Sequence, residues 1–138
     1  MPSFRIFDIS GSGLQAQTTR LNLVASNLSN AETVSSSIDQ TYKSRQPVFA
    51  THLQTAKNDL NAGVGVRVAG VVESQTPVRM EYMPNHPKAD ENGYIFKPNV
   101  DPIEEMTNMM SASRSYQDNV QVINTAKQLM MQTLKLGQ

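Results

Sequence analysis

Apolar positions in the last third of the chain recur at steps of three and four. Ile103, Met106, Met110, Tyr116, Val120, Ile123, Met130 and Leu134 share one helical stripe, with Ser113 and Lys127 at its polar steps. Asp101-Pro102-Ile103-Glu104 opens it with an N-cap aspartate, a proline at the first helical position where no N–H is needed, and an acid three residues past the cap. A helix over 102–136 makes a rod roughly 50 Å long. A second helix is predicted from about Asp8 to Ala31, with Phe7, Leu14, Leu21 and Leu28 seven apart and Val24, Ala25 and Ala31 widening the stripe. Asp8 or Ser10 supplies its cap. Gly11 and Gly13 weaken its first turns by about 1 kcal/mol each relative to alanine and permit close backbone approach.

Between the helices the pattern changes. Glu32 to Thr41 carries Ser35-Ser36-Ser37 and little apolar content, which reads as a linker, mobile in the monomer. Tyr42 to Ala50 reads as a strand whose Pro47 confines it to an edge or a break. His52 to Ala62 fits either a loop or a short helix, its polarity favouring the loop. Val64, Val66 and Val68 alternate with small or polar residues, as does Val78 to Met83, and these two runs are expected to pair as a hairpin. Asn92-Gly93 marks a turn before a last short strand, Tyr94-Ile95-Phe96. The predicted class is therefore α+β: residues 1–31 and 101–138 form two long terminal helices packed as an antiparallel coiled-coil-like pair, 32–41 link them to the rest, and 42–100 form a small antiparallel β insert.

The faces away from the stripes lack charge. From Ile9 to Ala31 only Arg20 is charged, and from Met106 to Ala126 only Arg114 and Asp118, among many amides and hydroxyls. Hydrogen-bonded amides can be buried at little cost where unpaired charges cannot, so both helices read as surrounded. The expectation is that the apolar stripe of the second helix packs on the leucine seam of the first, leaving the uncharged flank from Thr107 to Thr125 for neighbouring chains. Composition agrees, since 38% hydrophobic and 6% aromatic content over 138 residues, without tryptophan, gives little for a self-contained core. Twelve Lys+Arg balance twelve Asp+Glu, and the basic residues are scattered, which argues against nucleic acid or an anionic membrane as partner. No cysteine is present to form disulfides or thiolate metal sites. The N-terminus leads into no apolar signal segment, and no run approaches the ~20 residues that span a bilayer.

Candidate chemistry is thin, and neither an enzyme nor a cofactor is expected. His86 lies near Asp90 and Glu91, but Pro87 and the Asn92-Gly93 turn favour an exposed loop over a metal site. Gly63-x-Gly65 runs into alternating valines, and Gly11-Ser12-Gly13 has no Lys-Ser/Thr behind it, so neither is a phosphate loop. Glu104-Glu105 reads as a pair of first-turn acids facing the helix dipole, with Lys127 and Lys135 complementing the other end. Met106, Met109, Met110, Met130 and Met131 suit irregular helix contacts better than a cofactor pocket.

Two motifs at opposite ends carry a family resemblance. Leu21-Asn22-Leu23-Val24-Ala25-Ser26-Asn27-Leu28-Ser29-Asn30-Ala31 with Thr33 resembles the N-terminal signature of bacterial flagellar rod and hook proteins, and Arg114-Ser115-Tyr116-Gln117 with Asn119 resembles their C-terminal one. His86-Pro87-Lys88-Ala89-Asp90, Gly93-Tyr94 and Pro98-Asn99-Val100-Asp101 before Glu104-Glu105-Met106 are similar to proximal-rod basal-body proteins of the FlgC type. The resemblance implies an axial structural subunit of the rod that spans the periplasm. Terminal helices of many copies, and of other rod proteins, then pack into a helical tube that serves as drive shaft and export conduit. It further implies contact with the basal-body adaptor and the flagellar type III export apparatus, export without a cleavable signal peptide, and no direct membrane insertion. The expected assembly interface comprises Leu14, Leu21, Val24, Asn27, Leu28 and Asn30 on the first helix. On the second it comprises Met106, Met110, Arg114, Tyr116, Asn119, Val120, Ile123, Met130 and Leu134. The alternative is a cytoplasmic helical adaptor or chaperone that binds one partner through its Met-rich face.

Overall fold

A computed structural model describes residues 2–51 and 64–137, with side chains from Arg5 onward. Helix α1 spans Pro2–Asn30 and helix α2 spans Pro102–Leu136. Strands β1 (Arg45–Thr51), β2 (Val66–Glu73), β3 (Arg79–Tyr82) and β4 (Tyr94–Lys97) lie between them in sequence. The expected loop or helix at 52–62 falls outside the described residues.

The start of α2 follows from its first residues. Asp101 is extended, with φ −96° and ψ 112°, and its carboxylate accepts from the N–H groups of Ile103 and Glu104 at 2.9 and 3.4 Å. At the far end the N–H of Gly137 donates to the carbonyl of Thr133. Helix α1 begins six residues earlier than the expected Asp8. Pro2, whose fixed φ suits a first helical turn, starts it, and Asp8 and Ser10 are interior residues rather than caps.

The two helices run antiparallel. Gly13 lies against Asn119, and Arg20 donates to the Asn108 side chain at 3.1 Å, so partners descend along α2 as they ascend along α1. A Cβ on Gly13 would sit 3.1 Å from the Asn119 amide, so the absence of a side chain there permits the approach. Gly11 faces open space.

The strands form two separate antiparallel pairs, β1 with β2 and β3 with β4. This corrects the expected hairpin between the valine run and Val78 to Met83. Alternation identifies a strand but not its partner. Here the partner of β2 is β1, extended by a bond from the N–H of Ser74 to the carbonyl of Ser44 at 2.8 Å. Pro77 lies in the connection that carries the chain to the second sheet, and the Asn99 amide holds this connection by donating to Thr76 O at 2.7 Å. Pro47 is accommodated because β1 belongs to a two-stranded sheet, with a register shift just after it at Val48 and Phe49.

The serine-rich stretch folds onto β4. Ser35 and Phe96 exchange backbone hydrogen bonds of 2.9 and 3.1 Å, the Lys88 ammonium donates to Val34 O, and the Thr41 hydroxyl donates to Ser37 O. The apolar core sits where these parts meet the end of α1, around Val24, Ala31, Ile95, Phe96 and Val100. Asp90 closes the β3–β4 connection, its side chain accepting from the N–H groups of Asn92 and Tyr94. Gly93 takes φ 82° in that turn.

Candidate assembly interface

The α1–α2 contact is built from small and amide side chains. Ala112 on α2 and Ala16 on α1 are 0% and 3% exposed, and Arg20–Asn108 and Gly13–Asn119 flank them. Small residues let the two backbones approach, and the Asn119 amide satisfies itself on Ser115 O at 2.9 Å. Thus the first half of α2 presents Asn108, Ala112 and Asn119 to α1, residues of the uncharged flank that the sequence expectation left to neighbouring chains. Ile103, Met106 and Met110 are 76%, 57% and 61% exposed and face outward. Periodicity locates an apolar stripe but carries no information on which chain covers it. Further along, Val120, Ile123 and Met130 are half-buried within the chain, while Leu134 is exposed.

The expected interface residues of α1 divide in the same way. Leu14, Leu21, Leu28 and Asn30 are half-buried, whereas Val24 and Asn27 are fully enclosed by their own chain and present no surface to a neighbour. Asn27 is an internal hub. Its Oδ1 accepts from the Tyr42 hydroxyl at 2.8 Å and the Arg45 N–H at 3.0 Å, and its Nδ2 donates to Arg45 O at 2.9 Å and to Ser44 Oγ at 3.3 Å. Those four bonds tie α1 to the entry of β1. Asn99 performs the matching task from the α2 side, accepting from the Ser44 N–H at 2.8 Å. The Tyr42 ring in turn lies beneath the Arg45 guanidinium, 5.6 Å from ring centroid to Cζ.

Sequence reasoning missed Ser44, Asn99 and Glu105 as members of this junction. Glu105 is not simply a first-turn acid facing the dipole. It is 4% exposed, and its Oε2 has no hydrogen-bond partner. Burial raises its pKa above the ordinary 4.5, opposed by hydrogen bonding from Asn27, raised further by the Glu104 charge, and opposed again by Ser44 and Arg20. Glu104 beside it is exposed, as the first-turn reading expects. The only signal available in the sequence was position: Glu105 falls four residues before Met109 and seven before Ala112, on the flank that turns out to be internal.

The outward surface of α2 has no chemical apparatus. Among the described residues no group of His, Asp and Glu is placed to hold a metal ion, and His86 Nδ1 accepts from the Lys88 N–H within its own turn. No described helix is long and apolar enough to cross a membrane. What the surface offers is apolar side chains on a long helix: Ile103, Met106, Met110 and Tyr116, then Leu129, Met131, Leu134 and Leu136. Arg114 is exposed beside them, with no ion pair among the described residues.

Residues 7–34 match the flagella basal body rod protein family, and residues 91–136 match the flagellar basal body rod FlgEFG protein C-terminal family. The two segments hold most of α1 and, at the other end, β4 with all of α2. The chain is 50% identical over 138 residues to the flagellar basal-body rod protein FlgC of Salmonella typhimurium, covering all of both chains. It is equally similar, over the same full length, to the FlgC of Escherichia coli O6:H1. The FlgC of Bacillus subtilis is 33% identical over 149 residues, with 99% of each chain covered. A long outward stripe on paired terminal helices, both helices lying in matched segments, and identity along the whole length place this chain in the FlgC family of flagellar basal-body rod proteins.

Proposed function

We propose that this rod subunit assembles by covering the outward stripe of α2 with the terminal helices of neighbouring copies and of other rod proteins. The observation that carries the reading is the division of α2 into two faces. Asn108, Ala112 and Asn119 of its amide and small-residue flank pack on α1, while Ile103, Met106, Met110 and Tyr116 remain exposed. Methionine suits such a surface, because an unbranched, polarizable side chain adapts to slightly different neighbours along a helical array. The resulting tube is the proximal rod, at once drive shaft and conduit. The chain reaches it through the flagellar type III export apparatus, and the rod's base meets the basal-body adaptor. The subunit is structural rather than enzymatic. Membership of the rod family leaves the cytoplasmic adaptor without an observation in its favour.

The test is a double substitution, Met106→Asp with Met110→Asp. Both residues point away from α1, so the purified variant is expected to keep the circular dichroism spectrum of the parent. In cells it is expected to abolish swimming and to be absent from isolated basal bodies, because a buried unpaired charge costs several kcal/mol. A variant that folds and still supports a complete rod overturns the proposal.

A further inference from the structure

The buried carboxyl of Glu105 has no part in the assembly surface, yet it occupies the point where three elements converge. From α1 it meets Asn27, 0% exposed, and from the approach to β1 it meets Ser44, 5% exposed. On α2 it lies in the turn after the Asp101 cap, next to Met106. One of its oxygens is enclosed without a hydrogen-bond partner, an arrangement that disfavours the ionised form, which needs donors on both oxygens. The charged groups around it are few. Arg20 of α1 is engaged by Asn108, Arg45 of β1 is engaged by Glu73 at 3.3 Å, and Glu104 of α2 adds a like charge. Strand β2 contributes none to the cleft lined by these residues.

We propose that Glu105 is a proton-operated latch at this junction: its carboxyl, taking one proton from solvent, seats the first turns of α2 against Asn27 and Ser44, and losing that proton loosens them. The geometry carries this, since the Glu105 side chain is enclosed and its Oε2 meets no donor that would offset a charge there. The direction of the pKa agrees with it. Because the folded carboxyl holds its proton to higher pH than the unfolded one, the latch contribution is fully present below about pH 4.5 and is lost as pH rises through the elevated folded value. Glu105 immediately precedes Met106, so the latch also sets the direction in which the outward stripe points.

The experiment uses the full chain, melted at pH 5 and at pH 7.5 and followed by the near-ultraviolet signal of its tyrosines, of which Tyr42 bonds Asn27 directly. The parent is expected to melt at a higher temperature at pH 5 than at pH 7.5. Glu105→Gln, which keeps the shape and removes the charge, is expected to flatten that difference, and Glu104→Gln is expected to preserve it. A second readout is the side-chain amide resonance of Asn27, which should shift with pH in the parent and stay fixed in Glu105→Gln. A Glu105→Gln chain that retains the parent's pH dependence overturns the latch. So does a Glu104→Gln chain that loses it, or an Asn27 resonance that does not titrate.

Discussion

Asn27 illustrates how a single side chain can connect parts of the chain that share no backbone pairing. Both of its polar atoms are committed twice, and it is wholly buried. Asn27→Ala would leave the Arg45 N–H without its acceptor and the Tyr42 hydroxyl with only Ser26 Oγ, 3.2 Å away. The expected loss is about 3 kcal/mol, within the range for stranding buried donors, read from urea denaturation of the isolated chain. The glycines of α1 give a contrasting pair. Gly11→Ala meets nothing within 4 Å and is expected to stabilise the helix by about 1 kcal/mol through propensity alone. Gly13→Val drives a branched side chain into Asn119 and is expected to destabilise by about 2 kcal/mol, so the two substitutions should move the melting temperature in opposite directions. Proximity of two glycines in sequence therefore says little about their tasks. Only the partner helix distinguishes them, and that partner lies about a hundred residues away.

At the scale of elements, the sequence was most informative where the cause is local. The cap of α2, its proline start and its length are all set by neighbours within a few residues, and the helix runs as those residues require. The strands at Tyr94-Ile95-Phe96 and around Val66 were legible from alternation for the same reason. Their pairing was not, because partner choice depends on non-local bonds such as Ser74 to Ser44 and Asn99 to Thr76. The face of α2 that packs internally was misread for a related reason. Apolar periodicity reports which side avoids water in the final state, and in a subunit that state includes other chains. The amide flank, taken alone, looks like the side kept for strangers. Asn108, Ala112 and Asn119 show it to be the side closed first, with Gly13 and Ala16 opposite allowing the backbones to come near.

For the whole molecule, the two matched segments hold most of α1, all of α2 and strand β4, and the remaining strands lie between them. The family was readable from Asn27, Asn30 and the Arg114-Ser115-Tyr116 run, but the task of Asn27 was not: a signature residue can be kept for the inside of one subunit as easily as for its contacts. Burying the Asn27 hub and the alanine contact removes little hydrocarbon from water, whereas covering Ile103, Met106, Met110 and Leu134 removes a great deal. Heat capacity follows apolar area, so the two steps should respond differently to temperature. Calorimetry is expected to show a small heat-capacity change for unfolding of the free chain relative to its length, and a large negative one when chains associate. A helix pair closed by amides thus gives the subunit's own fold a flatter stability curve, and leaves the growth of the polymer as the step whose heat and entropy change most with temperature.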